Sequence, residues 1–374
     1  MGAYDEWVES LGLPVHKGYY IEDLRTAEVG WWQERGCNAA FVQLFDQTEV
    51  TESRITEIPP GKTTASLKFA LDELYYVLDG NGLATVRRDG GREETFEWHE
   101  RSLFLIPRQS TYQLTNARGD KPVRLFSRNA LPLASRIYPD LGFFFNNPYL
   151  PGREDNLENF YSEAKVVETH GMGEVMLTDE GGQKKRKDYG TNINVWSGSF
   201  FPDMGVWDKL DPYRHRGAGG KTVYYKMSNS AHGGHMSVFP SRTYKNAHCH
   251  GGGVFFVIPA GEGYSIWWEE GGEKNFVPWH EGGCFCIPYF RPVFHQHFNV
   301  GSTPARYLTL GSGVDWQLLE SEARRNKYQI AYPDEAPWIR ETFEKELAKR
   351  GLTSLMPDEV YKDRDYQWKY AEDK

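Results

Sequence analysis

The chain has 374 residues, 39% hydrophobic, 15% aromatic and 25% charged, which excludes disorder of the whole and, since single cores stop growing at roughly 250–300 residues, predicts two domains. A formal charge of −9 argues against a general nucleic-acid partner, whose footprint would be basic. No stretch approaches the roughly 18 apolar residues of a membrane helix, the first residues lack a secretory pattern, and four cysteines make no secreted disulfide framework, so a reducing, cytoplasmic setting is expected.

Along the chain, residues 2–12 read as a short amphipathic helix. Glycine and proline then punctuate short runs rich in Val, Ile, Tyr, Phe and Trp, the pattern of many short strands. Leu74-Tyr-Tyr-Val-Leu-Asp-Gly-Asn-Gly82 and Ala84-Thr-Val-Arg-Arg-Asp-Gly-Gly-Arg92 read as strand, turn, strand and hairpin. The segment 145–200 carries turn residues and a basic run, Lys184-Lys-Arg-Lys187, expected as a solvated linker loop. His232-Gly-Gly-His235 is too rich in glycine for a helix and is expected as a loop near the later core. Glu335 to Arg350 forms an amphipathic helix with Trp338, Phe343 and Leu347 along one face and Gly351 just past its end.

Shifting the chain on itself by 181 residues places Gly80 on Gly261, Gly82 on Gly263 and Pro107 on Pro288. Each coincidence falls at a turn, and together they predict an internal duplication. Two related β domains in tandem follow, at 1–160 and 161–374.

Seven of the eleven histidines lie between 232 and 297. Within that span stand His248-Cys-His250 and His295-Gln-His297. On a strand, residues i and i+2 point to one face, so His248 and His250 can aim together into a barrel interior. A third imidazole from a neighbouring strand would complete a facial set for one metal ion and leave positions open for substrate and dioxygen. His295 and His297 are also in phase, and either can be that third ligand. Cys284 and Cys286 share a strand face without a Cys-x-x-Cys loop, and apolar burial is expected for them. No nucleophile elbow, phosphate loop or dinucleotide fingerprint is present, and Gly217-Ala-Gly-Gly-Lys221 lacks the spacing for one.

The run Asn246-Ala-His248-Cys-His250 through Gly261 and Gly263, followed by Gly283 to Pro288 and by His295 to Asn299, resembles the two motifs of the cupin superfamily. The likeness spans roughly residues 55–130 and 235–312, so the chain resembles a bicupin: an all-β fold of two tandem antiparallel barrels with a few flanking helices. By that resemblance His248, His250 and His295 are metal ligands. Val254 stands where the family usually has its glutamate, so three neutral imidazoles leave the metal its full charge and favour an anionic, chelating substrate. In the earlier copy Leu67, Phe69 and Tyr112 occupy the histidine positions and Glu73 the glutamate position, which implies a structural role. Three-histidine cupins similar to this one include ferrous dioxygenases.

The expectation is therefore a metal-dependent dioxygenase oxidising a small chelating organic acid or phenol, with Fe(II) as the metal and Zn, Ni, Mn or Cu as alternatives. His297 and Arg291 are expected beside substrate, the arginine because its planar fork suits a carboxylate. The rivals are a redox-silent lyase, isomerase or decarboxylase, and a metal-free binding or storage-like bicupin. The terminal helices and edge strands leave a homo-oligomer open.

Overall fold

The computed structural model describes residues 2–45, 47–88, 91–148, 159–178, 183–228, 230, 232–249, 254–288, 293–311 and 328–370. His250 and Arg291, both expected at the site, lie outside the described residues.

The N-terminal half forms a barrel from two sheets. One orders Val15–Gly18, Cys37–Leu44, Glu52–Ile58, Val123–Asn129, Glu73–Asp79 and Leu103–Ile106; the other orders Leu67–Phe69, Ser110–Asn116, Asn81–Arg88 and Glu93–His99. In Ser110–Asn116 the even residues are buried and the odd ones partly exposed, the period of two that packs one face and wets the other. Glu73–Asp79 is buried on both faces up to Leu78, because its outer face meets the second half of the molecule.

That second half repeats the plan. Asn192–Gly198, Lys221–Met227, Gly233–Phe239, Ala305–Thr309, Val254–Ala260 and Cys284–Ile287 form one wall, and His248–Cys249, Phe294–Asn299, Glu262–Trp268 and Asn275–His280 the other. The duplication extends to individual hydrogen bonds. Asn116 donates to the carbonyls of Ile58, Pro59 and Lys121, and Asn299 to those of Phe239, Pro240 and Thr303. Gly80 and Gly261 share φ of 91°, a left-handed value open to glycine. A Cβ on Gly82 would lie 2.3 Å from Trp98, and one on Gly263 2.5 Å from Trp279.

The two barrels exchange short strands. Tyr20–Ile21 pairs with Cys284–Ile287 of the C-terminal barrel, while Phe200–Phe201 pairs with Leu103–Ile106 of the N-terminal one. Between the large sheets, Leu74, Tyr76 and Phe126 pack with Tyr225, Phe255 and Leu308 in one apolar cluster, and the Phe126 and Phe255 rings stack at 5.4 Å. Cys284 and Cys286 are buried in this seam as free thiols.

The helix Ala3–Ser10 buries Tyr4 and Val8. The helix Pro337–Ala348 buries Ile339, Phe343 and Leu347 against Tyr244, Tyr264 and Phe298 on the outside of the C-terminal barrel; Ile339, not Trp338, takes the third buried position. None of the described helices is long and apolar enough to cross a membrane.

Two sequence expectations are corrected. Lys184–Asp188 is a strand paired with Glu174–Thr178, its charges placed by Arg186 on Glu174 at 2.8 Å and Lys187 on Asp365 at 2.5 Å. Gly233–Phe239 is likewise a strand, paired with Lys221–Met227; a Cβ on Gly234 would come 2.5 Å from Thr309 Oγ1, so the glycine here serves close packing and not a loop.

Candidate metal centre

Strand register brings the histidines together. His248 pairs with His295 on one side and with Gln329 on the other, and His297 pairs with Ser265. Paired residues project to one face. His295 and His297, two apart, project to that same interior. One ring nitrogen from each of His248, His295 and His297 lies within 4.8 Å of those of the other two, and all three residues are buried. Among the described residues this is the one group of histidine, cysteine or carboxylate side chains so arranged.

Each imidazole is held by its Nδ1. His248 Nδ1 donates to the Asn246 carbonyl at 2.9 Å and His295 Nδ1 to the Val293 carbonyl at 3.4 Å. A carbonyl only accepts, so in both rings the proton sits on Nδ1 and Nε2 presents its lone pair. His297 Nδ1 lies 2.7 Å from Ser265 Oγ, which also accepts from Trp279 Nε1 at 3.0 Å. Such outer partners fix ring orientation in metal sites.

Burial keeps the His295 and His297 rings neutral. Removal from water pushes His295 down to about 3, helped by the charge of Arg216. His297 is held well below the usual histidine range by burial, then by His295 and Lys245. Neutral imidazoles are the form that binds metal. The spacing, the outer hydrogen bonds and the neutral state fit a divalent transition metal, whose bonds to imidazole run about 2.0–2.1 Å.

Around the trio the walls are aromatic. Phe256 lies 5.5 Å, Phe285 6.0 Å and Tyr307 4.7 Å from the His297 ring, and Trp267 is the register partner of His295. Deeper in, Lys245 is fully buried, donates to Tyr307 Oη at 2.9 Å and lies over the rings of Tyr213 and Phe239. Burial pushes its amine well below the usual lysine value.

The N-terminal barrel holds a different set at the matching place. Arg54 donates to Glu52 at 2.5 Å and to Glu73 at 2.7 Å, all three being buried. Tyr112 also donates to Glu73, Tyr75 Oη lies 2.9 Å from Tyr112 Oη, and Asn129 donates to Glu52 at 3.0 Å. Leu67 and Phe69 are buried core residues. The absence of imidazoles expected from the sequence is thus filled by an internal ion cluster.

Of the residues expected from sequence, His248, His295 and His297 come together. Sequence reasoning missed Ser265, Trp279, Lys245, Arg216 and Gln329. Trp279 was within reach, since Trp98-His-Glu and Trp279-His-Glu coincide at the offset of 181 residues. Gln329 belongs to a two-residue strand set beside His248, and no local pattern announces it.

No family model and no curated protein matches the sequence. Solved structures do resemble it. An oxalate decarboxylase of Bacillus subtilis, described with Mn(II) centres, is 13% identical, covers 78% of this chain and 76% of its own, and gives a TM-score of 0.47. A 7S globulin of Momordica charantia is 13% identical over 79% of this chain and 84% of its own, TM-score 0.47. An oxalate decarboxylase of Lactobacillus farciminis in a formate complex is 11% identical over 78% and 85%, TM-score 0.44. By its own strand order, paired turn glycines and duplicated asparagine brackets, the chain carries one β-barrel plan twice.

Proposed function

We propose that the chain is a metal-dependent enzyme acting on a small, anionic, chelating organic acid in its C-terminal barrel. His248, His295 and His297 would hold one divalent transition metal. His250, in the same motif and outside the described residues, is proposed as a further ligand on the resemblance alone. The supporting observation is the convergence of three buried imidazoles held by Nδ1, with no carboxylate in the group.

When bound, the metal would supply Lewis acidity, undiminished because no ligand carries charge. Redox-silent chemistry on an acid, of the lyase, isomerase or decarboxylase kind, is the reading we favour: a site of neutral ligands stabilises the divalent state over a more highly charged one. The chain's own residues exclude water through Phe256, Phe285 and Trp267 and orient the imidazoles through Ser265, Asn246 and Val293. Oxidation by dioxygen with ferrous iron is the second reading, favoured by the apolar aromatic wall, which protects reactive species from water. Arg291 beside substrate stays a proposal from the sequence.

Turnover of candidate acids followed with an oxygen electrode separates the two. Product formed without oxygen uptake supports the first reading, and stoichiometric uptake replaces it by the second. Metal retention in His297→Ala and His250→Ala, compared side by side, assigns the ligands; unchanged retention in His297→Ala would remove it from the set.

A further inference from the structure

Beside the histidine trio the barrel presents a buried donor that lacks an acceptor. Gln329, fully buried, is the register partner of His248, so its side chain shares the interior face. Arg216 Nη1 donates to Gln329 Oε1 at 3.3 Å. That bond fixes the amide: Oε1 faces the guanidinium, and Nε2 is left buried with no partner. The backbone of Arg216 is tied to the motif strand through Asn246 N, which donates to its carbonyl at 3.1 Å. Arg216 is 3% exposed, and among the described residues no carboxylate forms an ion pair with it.

A buried guanidinium without a counter-charge is expensive, because the desolvation of the ion is not offset by Coulomb attraction. A divalent ion on the neighbouring imidazoles would add to the imbalance. The deficit has a definite shape: a planar, multi-donor fork and an adjacent amide N–H, beside the imidazoles that would hold a cation. A carboxylate satisfies all three, since one group offers about four lone-pair sites and a negative charge.

We infer that Arg216 and Gln329 form the carboxylate-binding wall of the C-terminal site, and that the substrate class is a chelator bearing a carboxylate rather than a neutral or purely phenolic one. This rests on the proposed metal site. Arg216 is a binding and positioning residue here, with Gln329 aligning its fork and donating alongside it.

The test uses the full chain loaded with Co²⁺, whose visible spectrum reports a ligand entering the metal sphere, and two probes of one shape: glycolate and its uncharged amide, glycolamide. Wild type should bind glycolate about tenfold or more tightly than glycolamide, the difference expected of charge-assisted hydrogen bonds. Arg216→Gln should cut that preference by about threefold or more, to what the metal's own charge supplies, while keeping one Co²⁺ per chain, Arg216→Lys should restore part of it, and Gln329→Leu should weaken glycolate by about threefold to tenfold and leave glycolamide unchanged. Equal affinity for the two probes in wild type, or undiminished glycolate binding by a metal-loaded Arg216→Gln, overturns the inference and leaves the metal site standing. Should Arg216→Gln not hold its metal, the Gln329→Leu titration decides. A wild-type chain that takes up no Co²⁺ sinks the metal site and the inference together.

Discussion

The two barrels share a backbone and differ in how their interiors balance charge. In the N-terminal barrel Arg54 is set between Glu52 and Glu73, with Tyr112 and Asn129 filling the remaining oxygen sites. In the C-terminal barrel the positions matching Arg54 and Glu73 at the same offset are His235 and Val254, and the position of Tyr112 is taken by His295. His235 stacks on Tyr224 at 5.1 Å. One barrel has closed its cation and anions into a permanent cluster, while the other gathers donors and lone pairs that call for partners from outside.

Breaking the closed cluster gives the largest expected effect. Arg54→Met leaves Glu52 and Glu73 buried without their cation, and removing one partner of such a set destabilises by about 3–5 kcal/mol. Urea unfolding would measure it. A loss below about 1 kcal/mol would mean that the cluster is wet and that the contrast between the barrels is overstated.

Acid sharpens the contrast through opposite signs. His295 protonates at about 3 in the folded chain and near the ordinary histidine value when unfolded, so the unfolded state takes up the proton first. The stability this imidazole contributes is complete above about pH 6.5 and is lost on acidification, by about 2 kcal/mol at pH 5. His297, also lowered, acts in the same direction. Glu52 moves the other way: burial raises it, then Arg54 lowers it and Glu73 raises it. Its penalty therefore grows as pH rises from the unfolded carboxylate value toward the folded one. In the metal-free chain, melting followed by tryptophan fluorescence between pH 7.5 and 5 should show the C-terminal barrel weakening first. A melting temperature flat across that range contradicts buried neutral imidazoles.

The outer support of the site gives a smaller effect. Ser265→Ala removes the hydroxyl that holds His297 Nδ1 and accepts from Trp279, and loss of such a partner lowers metal affinity by about 10–100-fold. Competition with a chromophoric chelator reads this directly, and an unchanged affinity would move His297 out of the ligand set.

Much of this was legible in the sequence because turns and histidines are local signals. Gly80 and Gly261 mark the duplication because only their backbone freedom suits a φ of 91°, and a two-residue period is enough to put His295 and His297 on one face. What was hidden depends on partners far along the chain. Lys184–Asp188 reads as a solvated basic run until Glu174 and Asp365 pair with it. Gly234 reads as part of a loop until Thr309 shows why a side chain does not fit. Arg216 and Gln329 are 113 residues apart, and nothing at either position signals the other.

The central claim is a metal ion held by the imidazoles of the later barrel. Elemental analysis of untagged wild type, His295→Ala and Tyr112→Phe tests it most directly. About one metal per chain in wild type and in Tyr112→Phe, with near-total loss in His295→Ala, is the expected result. Metal absent from wild type, or retained undiminished by His295→Ala, would contradict the account.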